Sequence, residues 1–394
     1  EQELRLAARE YSRAFAARRP GTSIYFASKA LSCSAVIAVM AAEGLGCDVS
    51  SAGELAIALA GGMPGERILM HGNAKRDLDL LAALGAGVGL IVIDSLDELD
   101  RLTRLLDARR PRRPQHVLLR VNPGVTAPTH AAMVTGDEGS KFGLGIDALR
   151  SAAARIDACE WLQLDGLHVH IGSQITELEP FTRSVEALGA AGFDVGVVID
   201  LGGGLGVRYL PDDPAVPSAE DYATAMTAAA QRALPPAARL IFEPGRALVA
   251  RAMVTVYRVV SVKRSARTFV SVDGGMADNL EPMMYGTRFA PFVLDSDRPV
   301  ERCDVVGPHC ETGDRLVEGW PLAGPRVDDL LVVPMTGAYC YALANNYNGA
   351  VRPPVVMCSD GRARLVQRRE TIEDLLARNT DVQLPLTEPA GGRD

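Results

Sequence analysis

Short apolar runs alternate with stretches of helical spacing from the start of the chain to about residue 246. Eight strand-like runs begin at residues 24, 44, 67, 90, 116, 164, 196 and 239. Between them lie Ala- and Leu-rich stretches, such as residues 32–44 and 74–87, in which apolar residues recur at the period of a helix. A strand–helix unit repeated eight times is typical of one architecture, so the sequence predicts an α/β fold built on a (β/α)₈ TIM-like barrel.

The pattern of apolar and polar residues changes after Arg246. Runs beginning at residues 253, 267, 329 and 354 alternate apolar and polar positions, with Gly, Pro and Asp turns between them. Such alternation predicts antiparallel strands that are buried on one face. We therefore expect two domains, with the barrel at residues 1–248 and a C-terminal antiparallel β-domain at residues 249–394. Residues 386–394 are expected to form a disordered tail.

Composition and charge indicate a globular protein and argue against some classes of function. The chain of 394 residues is 47% hydrophobic and 23% charged, as in ordinary globular proteins. Its net charge of −8 argues against a nucleic-acid partner, and no apolar run is long enough to span a membrane. Seven scattered cysteines without C-x-x-C spacing indicate reduced thiols and a cytoplasmic location. Residues 1–15 already show helical spacing, which leaves room for a native segment before them.

Reactive side chains follow the ends of the predicted barrel strands. In this fold the catalytic groups gather at the C-terminal ends of the strands, because the loops on that face form the active site. The residues at those ends are Lys29, Asp48, Ser51, Asn73, Asp94, Arg120, Asn122, His170, Ser173, Gly202, Gly203, Gly204, Glu243 and Arg246. We therefore predict that the chemistry lies on one face of the barrel.

Lys29 ends the first run and is expected to point into the mouth of the barrel. A lysine that loses its hydration there has a lowered pKa and can form a Schiff base with an aldehyde. The alternative is a structural ion pair with Asp48 or Glu54. Position alone leaves both interpretations open.

The Gly-rich turn at residues 201–206 follows the seventh run. Consecutive glycines let backbone N–H groups approach an anion closely, most often a phosphate. Ser173 precedes this turn on the sixth run and Arg246 follows it on the eighth, and phosphate sites in this fold cluster at the last strands. We therefore predict an anion site at this turn.

Glu243 ends the eighth run. A carboxylate beside a bound phosphate-bearing ring can hold a protonated pyridine nitrogen, as pyridoxal phosphate requires. The alternative is a salt bridge between Glu243 and Arg246. Of His168 and His170 we expect only one to face inward, with His170 either flat against an aromatic cofactor or hydrogen-bonded as a structural residue. No metal is expected, because no H-x-H is recognised beside clustered carboxylates on neighbouring strands.

With these residues assembled, the chain resembles the fold-type III pyridoxal-phosphate decarboxylases, and among them the diaminopimelate decarboxylases. The resemblance extends from about Tyr25 to Leu376. The matching motifs, in chain order, are YFASKA, GCDVSSAGEL, RVNPGV, SKFGLG, GLHVHIGSQ, DLGGGLG, EPGRA, SVDGGMADN, GPHCETGD and TGAYCYALANNYN. It implies decarboxylation of an amino acid with pyridoxal 5′-phosphate as the cofactor.

The resemblance also implies roles for particular residues. Lys29 matches the lysine that carries the cofactor, and His170 matches the residue stacked on its ring. Glu243 matches the partner of the pyridine nitrogen, while Asp48 and Glu54 support the region of Lys29. The implied phosphate and remaining cofactor contacts are Ser173, Gly203, Gly204, Gly245, Arg246 and Tyr339.

In this family the β-domain of a second subunit completes the active site, so the resemblance implies a homodimer with shared sites. Cys310 matches the acid that reprotonates the substrate carbon after CO₂ leaves, and Glu311 lies beside it. Both residues are expected to reach the partner's cavity. The implied substrate-binding residues are Arg246, Glu281, Tyr285, Glu311 and Tyr339.

One position departs from the family pattern. Diaminopimelate decarboxylases have an Arg four residues before the Tyr that matches Tyr285, and this Arg binds the distal carboxylate of the substrate. Glu281 occupies that position here, which replaces attraction by like-charge repulsion. The substrate is therefore expected to be meso-diaminopimelate itself or, in our preferred interpretation, a relative without that carboxylate. Candidates are a basic D-amino acid or an aminoacyl group on a carrier protein.

Two other classes of function use the same architecture. An amino-acid racemase is expected to carry a Tyr base in place of the HCETGD motif, which this chain has. A non-catalytic binding protein is expected to lose cofactor residues and to be colourless when purified.

Overall fold

Eight parallel strands, β1 to β8, pair in chain order and close into a barrel. The computed structural model describes residues 1–125, 127–130, 133–136, 139–190 and 198–380. The strands are β1 Ser23–Ala27, β2 Gly46–Val49, β3 Ile68–Met70, β4 Leu90–Ile93, β5 Gln115–Arg120, β6 Leu162–His168, β7 Val198–Asp200 and β8 Arg239–Phe242. Because β1 pairs with both β2 and β8, the predicted barrel is confirmed. The first two residues of the run predicted at residue 196 lie outside the described residues.

Helices cover the barrel and follow the predicted spacing. They are α1 Gln2–Ala16, α2 Ser34–Ala42, α3 Ala52–Ala60, α4 Asp77–Ala86, α5 Leu96–Arg109, α6 Ile146–Asp157, α7 Glu179–Ala190, α8 Ala219–Ala233 and α9 Arg246–Val249. The stretches predicted at residues 32–44 and 74–87 are confirmed as α2 and α4. Serine caps fix two helix starts, since Ser51 Oγ accepts from Glu54 N and Ser95 Oγ accepts from Glu98 N.

Apolar side chains pack on both sides of the barrel wall. The interior is filled by Leu69, Leu90, Val92, Leu118, Val198 and Ile241. On the outside, Phe15 of α1 packs on Phe242 of β8, with ring centroids 4.1 Å apart, and Tyr222 of α8 lies against both. The interior is therefore a packed core, and only the mouth is left for a site.

The second unit is built on a six-stranded sheet. Its strands are β9 Val254–Arg264, β10 Thr268–Val272, β11 Phe292–Val293, β12 Val300–Val306, β13 Arg315–Ala323 and β14 Leu330–Pro334, in the spatial order β11-β14-β9-β10-β12-β13. The strands β15 Val355–Ser359 and β16 Arg362–Gln367 form a hairpin, and the short helices are α10 Glu281–Tyr285 and α11 Ile372–Leu376. The expected antiparallel domain needs one correction, because β10 and β12 pair in parallel.

The two units meet at the mouth of the barrel. The backbone N–H of Tyr339, in the loop after β14, donates to the carbonyl of Ala30 at 2.8 Å. The boundary expected at residue 248 falls within α9, between β8 and β9, and remains a prediction. The tail predicted at residues 386–394 lies outside the described residues. Among the helices of the described ranges, none is long and apolar enough to cross a membrane.

Candidate active site

Two adjoining cavities lie at the C-terminal ends of the barrel strands. The first encloses about 160 Å³ and the second about 320 Å³, and both are lined by Lys29, His170 and Glu243. The predicted site residues that line the first cavity are Lys29, His170, Ser173, Gly204, Glu243, Gly245, Arg246, Tyr285 and Tyr339. The structure thus brings residues from distant parts of the sequence to one face of the barrel.

Lys29 lies in a short 3₁₀ turn directly after β1. Within the described residues no carboxylate lies within 4.0 Å of its amine, so the alternative ion pair with Asp48 or Glu54 is not formed. Burial, the largest effect, lowers the pKa of Lys29, but Tyr339, Asp48 and Glu243 outweigh it and the pKa is raised. The lowered pKa expected from loss of hydration is therefore wrong.

Glu243 is buried beside two histidines. Its Oε1 lies 2.5 Å from His71 Nε2, and its Oε2 lies 3.5 Å from His168 Nε2. Burial raises the pKa of Glu243, but His71 and His168 together hold it well below its usual range. The group is therefore an ionised carboxylate. The alternative salt bridge between Glu243 and Arg246 is not formed, because each has other partners.

His71 was not among the candidates, although it directly follows β3. Its Nε2 also lies 3.5 Å from Asp48 Oδ1, so it joins Asp48 to Glu243. Burial raises the pKa of Asp48 to about 7, with His71 opposing the effect. His71 carries the same signal in the sequence as the other candidates, because it directly follows a strand.

Both His168 and His170 line the second cavity, which corrects the expectation that only one faces inward. The two residues are two positions apart, and such positions lie on the same face of an extended chain. Burial, reinforced by the charge of His71, lowers the pKa of His168 to about 3. Burial and then the charge of Lys29 hold the pKa of His170 well below its usual value. The Nδ1 of His170 accepts from the N–H of Gly203 at 3.2 Å, which fixes its ring.

Four titratable groups are closer together than the sequence indicated. Ligand atoms of His71, His168, Asp200 and Glu243 lie within 4.8 Å of one another. The statement that no H-x-H lies beside clustered carboxylates is therefore wrong, because β7 and β8 bring Asp200 and Glu243 against β6. Burial, and then the charge of Glu243, raises the pKa of Asp200 well above its usual value. The neutral form of Asp200 is therefore favoured relative to that of an exposed carboxyl group, and the expected absence of a metal stays a prediction.

The Gly-rich turn presents backbone donors to the first cavity. Gly204 has φ +116°, in the region that favours glycine. In the part of the chain that the structure describes, the N–H groups of Gly204 and Gly245 and the hydroxyl of Ser173 donate to no protein acceptor. All three residues line the cavity. Unfilled donors converging on a cavity are what a phosphate requires, so the residues present fit the predicted anion site.

Gly203→Ala is expected to destabilise the protein by about 2–3 kcal/mol or more, because strain is added next to Glu243. A Cβ at position 203 would lie 2.0 Å from the carbonyl oxygen of Glu243. Gly85 in α4 is the matched control, since a Cβ there meets nothing within 4 Å. Gly85→Ala should be neutral or stabilising by about 0.5–1 kcal/mol. Thermal unfolding of both variants checks the difference, and equal stability would contradict the tight packing of the turn.

Arg246 lies in the wall of the first cavity with most of its donors filled. Its Nη1 donates to the hydroxyl of Tyr209, and its Nη1 and Nη2 lie 3.5 Å and 3.3 Å from the carboxylate oxygens of Glu281. The ring of Tyr339 lies 4.7 Å from its guanidinium carbon. Burial lowers the pKa of Arg246, but Tyr209 and Glu281 raise it by more. Its Nε is buried and has no hydrogen-bond partner within the described ranges. Nothing in the sequence pointed to Tyr209.

Glu281, at the start of α10, is fully buried behind Arg246. It also accepts from Thr287 Oγ1 at 2.5 Å. Tyr285 lines the first cavity, whereas Glu281 is not part of that lining. Arg288 pairs with Asp213 at 3.4 Å and does not enter the pocket. Glu281 therefore contacts Arg246 and does not line the cavity itself, and its role in substrate binding remains a prediction.

Cys310 and Glu311 lie on an exposed turn between β12 and β13. The hydroxyl of Tyr347 donates to Glu311 Oε1 at 2.5 Å, and the N–H of Cys310 donates to Asn348 Oδ1 at 3.1 Å. Neither Cys310 nor Glu311 lines the two cavities of its own chain. A single chain therefore does not bring these residues to Lys29.

Tyr339 holds a conformation that few residues of its type adopt. Its φ of +61° lies in the left-handed region, which costs free energy for a residue with a side chain. The bond from its N–H to Ala30 fixes the backbone, and its ring reaches the first cavity beside Arg246. Such strain is typical of functional positions.

Comparison with known proteins gives a consistent result. The family model "Pyridoxal-dependent decarboxylase, pyridoxal binding domain" matches residues 2–250. The chain is 47% identical to the diaminopimelate decarboxylase of Actinosynnema pretiosum over 94% of this chain and 86% of that protein. It is 40% identical to the diaminopimelate decarboxylase of Mycobacterium tuberculosis over 96% of this chain and 89% of that protein.

Solved structures share the fold over almost the whole chain. Diaminopimelate decarboxylase from Helicobacter pylori complexed with L-lysine matches with a TM-score of 0.89 at 28% identity, covering 95% of this chain and 94% of that chain. Lysine/ornithine decarboxylase from Vibrio vulnificus, complexed with putrescine, matches with a TM-score of 0.75 at 22% identity, covering 88% and 90%. The second similarity concerns the fold alone.

Proposed function

Because the chain belongs to the pyridoxal-dependent decarboxylases of the diaminopimelate decarboxylase type, we propose that its two cavities hold pyridoxal 5′-phosphate and that the site releases CO₂ from an amino acid. One observation carries the assignment of the site. Lys29, the free donors of the Gly-rich turn and the ionised Glu243 all face one cavity. Family membership favours decarboxylation over the racemase and binding-protein alternatives.

Each side chain has a task that its environment supports. Lys29 supplies the amine that binds the cofactor aldehyde, and Ser173, Gly204 and Gly245 donate to the phosphate. Glu243 holds a proton at the pyridine nitrogen, because its carboxylate stays ionised beside His71 and His168. The bound cofactor supplies an electron sink for the pair left on the substrate carbon when CO₂ departs.

The neighbours of these groups keep them in place. His170 presents a neutral ring, fixed by the bond from Gly203, to the face of the cofactor. Asp48 supports Glu243 through His71. Arg246 and Tyr339 line the first cavity together with the phosphate donors.

We further propose that the substrate lacks a distal carboxylate. Among the described residues, the first cavity is lined by one lysine, Lys29, and one arginine, Arg246. A bidentate clamp on a carboxylate needs two parallel N–H donors. Both Nη groups of Arg246 already face Glu281 or Tyr209, and the charge of Arg246 is balanced by Glu281. A cavity wall whose cation is already balanced suits a substrate side chain with a neutral or cationic end. It suits equally an aminoacyl group presented by a carrier protein.

Lysine should be decarboxylated more efficiently than meso-diaminopimelate. The two molecules differ only by the distal carboxylate, so D-lysine and L-lysine together match either centre of the meso compound. Because meso-diaminopimelate would lack a charge-assisted bond to its distal carboxylate, its kcat/KM should be lower than that of lysine by about tenfold or more. CO₂ release with each substrate, and with the aminoacyl carrier protein, measures the preference.

Glu281→Gln should shift the preference toward meso-diaminopimelate, because it frees the charge of Arg246 without changing the shape of the side chain. Thr287→Val is the matched control, since it removes a partner of Glu281 and leaves all charges unchanged. Efficient turnover of meso-diaminopimelate by the unmodified protein would show that this is its substrate. A yellow protein that releases CO₂ from no amino acid would contradict the proposed activity itself.

We also propose that the active unit is a homodimer in which residues 249–394 form the domain that reaches the partner's site. Cys310 and Glu311 support this proposal, because they are exposed and lie outside the cavities of their own chain. Cys310 would return a proton to the substrate carbon, and Glu311 would contact the substrate beside it.

A further inference from the structure

Arg120, the last residue of β5, is a buried cation with unfilled donors. Only 6% of the residue is exposed, and it lines the second cavity together with Lys29 and His170. Its guanidinium makes no hydrogen bond to any residue that the structure describes. The nearest carboxylate atom is Asp94 Oδ1, 3.8 Å from its Nε, and its guanidinium carbon lies 4.4 Å from the ring centroid of Phe142. A buried charge without hydrogen bonds is costly, so this arrangement is unusual unless a ligand completes it.

A second buried cation in the same cavity shows the contrast. Lys75 donates to the carbonyls of Gly72 and Val92, both at 2.7 Å, and lies 2.8 Å from Glu98 Oε1. All three donors of its ammonium group therefore have acceptors. Because Lys75 is satisfied and Arg120 is not, the open acceptor position in this cavity belongs to Arg120.

The cofactor brings one polar atom that has no partner so far. In the proposed site Ser173, Gly204 and Gly245 would hold its phosphate, and Glu243 would hold its pyridine nitrogen. The phenolate oxygen, next to the carbon that bears the aldehyde, remains. Phenolate oxygen and guanidinium are complementary in charge and in hydrogen-bonding groups.

The carboxylate that leaves as CO₂ is the other anion available to Arg120. A guanidinium stabilises a carboxylate more than the neutral CO₂ that it becomes. Such a contact would stabilise the ground state and slow the reaction, so a decarboxylase gains nothing from it.

Resting on the cofactor site proposed above, we propose that Arg120 is a cofactor-positioning residue that donates to the phenolate oxygen of pyridoxal phosphate. This contact would hold the ring at a second point, in addition to the phosphate contacts. An anion bound to Arg120 would offset the free-energy cost of burying its charge without hydrogen bonds.

The test compares cofactor binding by pyridoxal phosphate and by its 3-deoxy analogue, which lacks the phenol. Wild-type protein should bind pyridoxal phosphate more tightly than the analogue, and Arg120→Met should reduce this preference by about ten- to a hundredfold. Equilibrium dialysis gives the dissociation constants without any turnover. The ratio of the two dissociation constants is compared between variants. This comparison cancels the effect that the phenol itself has on the reactivity of the aldehyde, because that effect is the same in every variant. Arg120→Lys keeps the charge and should lose part of the preference, which keeps the test decisive if Arg120→Met fails to fold.

Phe142→Leu is the matched control, because it removes the aromatic contact of Arg120 and leaves the donors in place. It should keep most of the preference for pyridoxal phosphate. An unchanged preference in folded Arg120→Met and Arg120→Lys would overturn the proposal. A second result would also overturn it. If Arg120→Met weakens the binding of lysine more than that of cadaverine, the decarboxylated amine, and leaves the preference for pyridoxal phosphate over its analogue unaltered, then Arg120 binds the substrate carboxylate. Wild-type protein that binds no pyridoxal phosphate would instead contradict the proposed function.

Discussion

Lys29→Ala should give a colourless protein without detectable decarboxylation. Lys29 lines both cavities together with Glu243, and it shares the first cavity with the donors of the phosphate site. Without it the cofactor has no covalent attachment at its aldehyde and no base or acid at that carbon. Removing one positioned catalytic group typically costs on the order of 10²–10⁴-fold, and the covalent role adds to this. The absorbance spectrum and CO₂ release measure the two losses separately.

No other lysine is placed to substitute for Lys29. The chain has three more, at positions 75, 141 and 263. Lys75 alone among them lines a cavity shared with Lys29, and its ammonium is held by two carbonyls and by Glu98. Lys263→Ala on β9 is the matched control and should remain yellow and active. A Lys29→Ala protein that is yellow and turns over near the wild-type rate would show that another amine carries the cofactor.

The sequence predicted the barrel well because its signals are local. Each strand is a short apolar run with a turn at its end, and each helix repeats apolar residues at its own period. The β-domain was predicted less completely, since β11, β12 and β13 were not recognised. The parallel pairing of β10 with β12 joins segments that are distant in sequence, and alternation of apolar residues does not specify which strands pair.

The residues of the site could be predicted from their positions at strand ends, but the contacts between their side chains could not. Lys29, His170 and Glu243 were found because each follows a strand, and the structure brings them to the same cavities. The contacts of Glu243 with His71 and His168 depend on how β3, β6 and β8 are arranged around the barrel, which single runs do not show. For Glu281 the sequence identified the unusual charge, whereas its direction depends on the fold of α10 against Arg246.

Mixing two inactive variants, Lys29→Ala and Cys310→Ala, should restore about a quarter of wild-type activity. Cys310→Ala alone should lose on the order of 10²–10⁴-fold if its thiol returns the proton to the substrate carbon. After random exchange of subunits, about half of the dimers contain one chain of each kind. Each such dimer has one site with both Lys29 and Cys310 and one site with neither.

The expected recovery follows from where the structure places these two residues. Lys29 lies at the barrel mouth and lines both cavities, while Cys310 is exposed on the turn between β12 and β13 and lines neither cavity of its own chain. Cys358 on β15 is also exposed, so Cys358→Ala is the matched control and should remain fully active by itself. Subunit exchange is verified with differently tagged chains, and activity is then read as CO₂ release. If exchange is complete and no activity returns, both residues must act within one chain, and the loop that carries Cys310 would have to move to the barrel mouth.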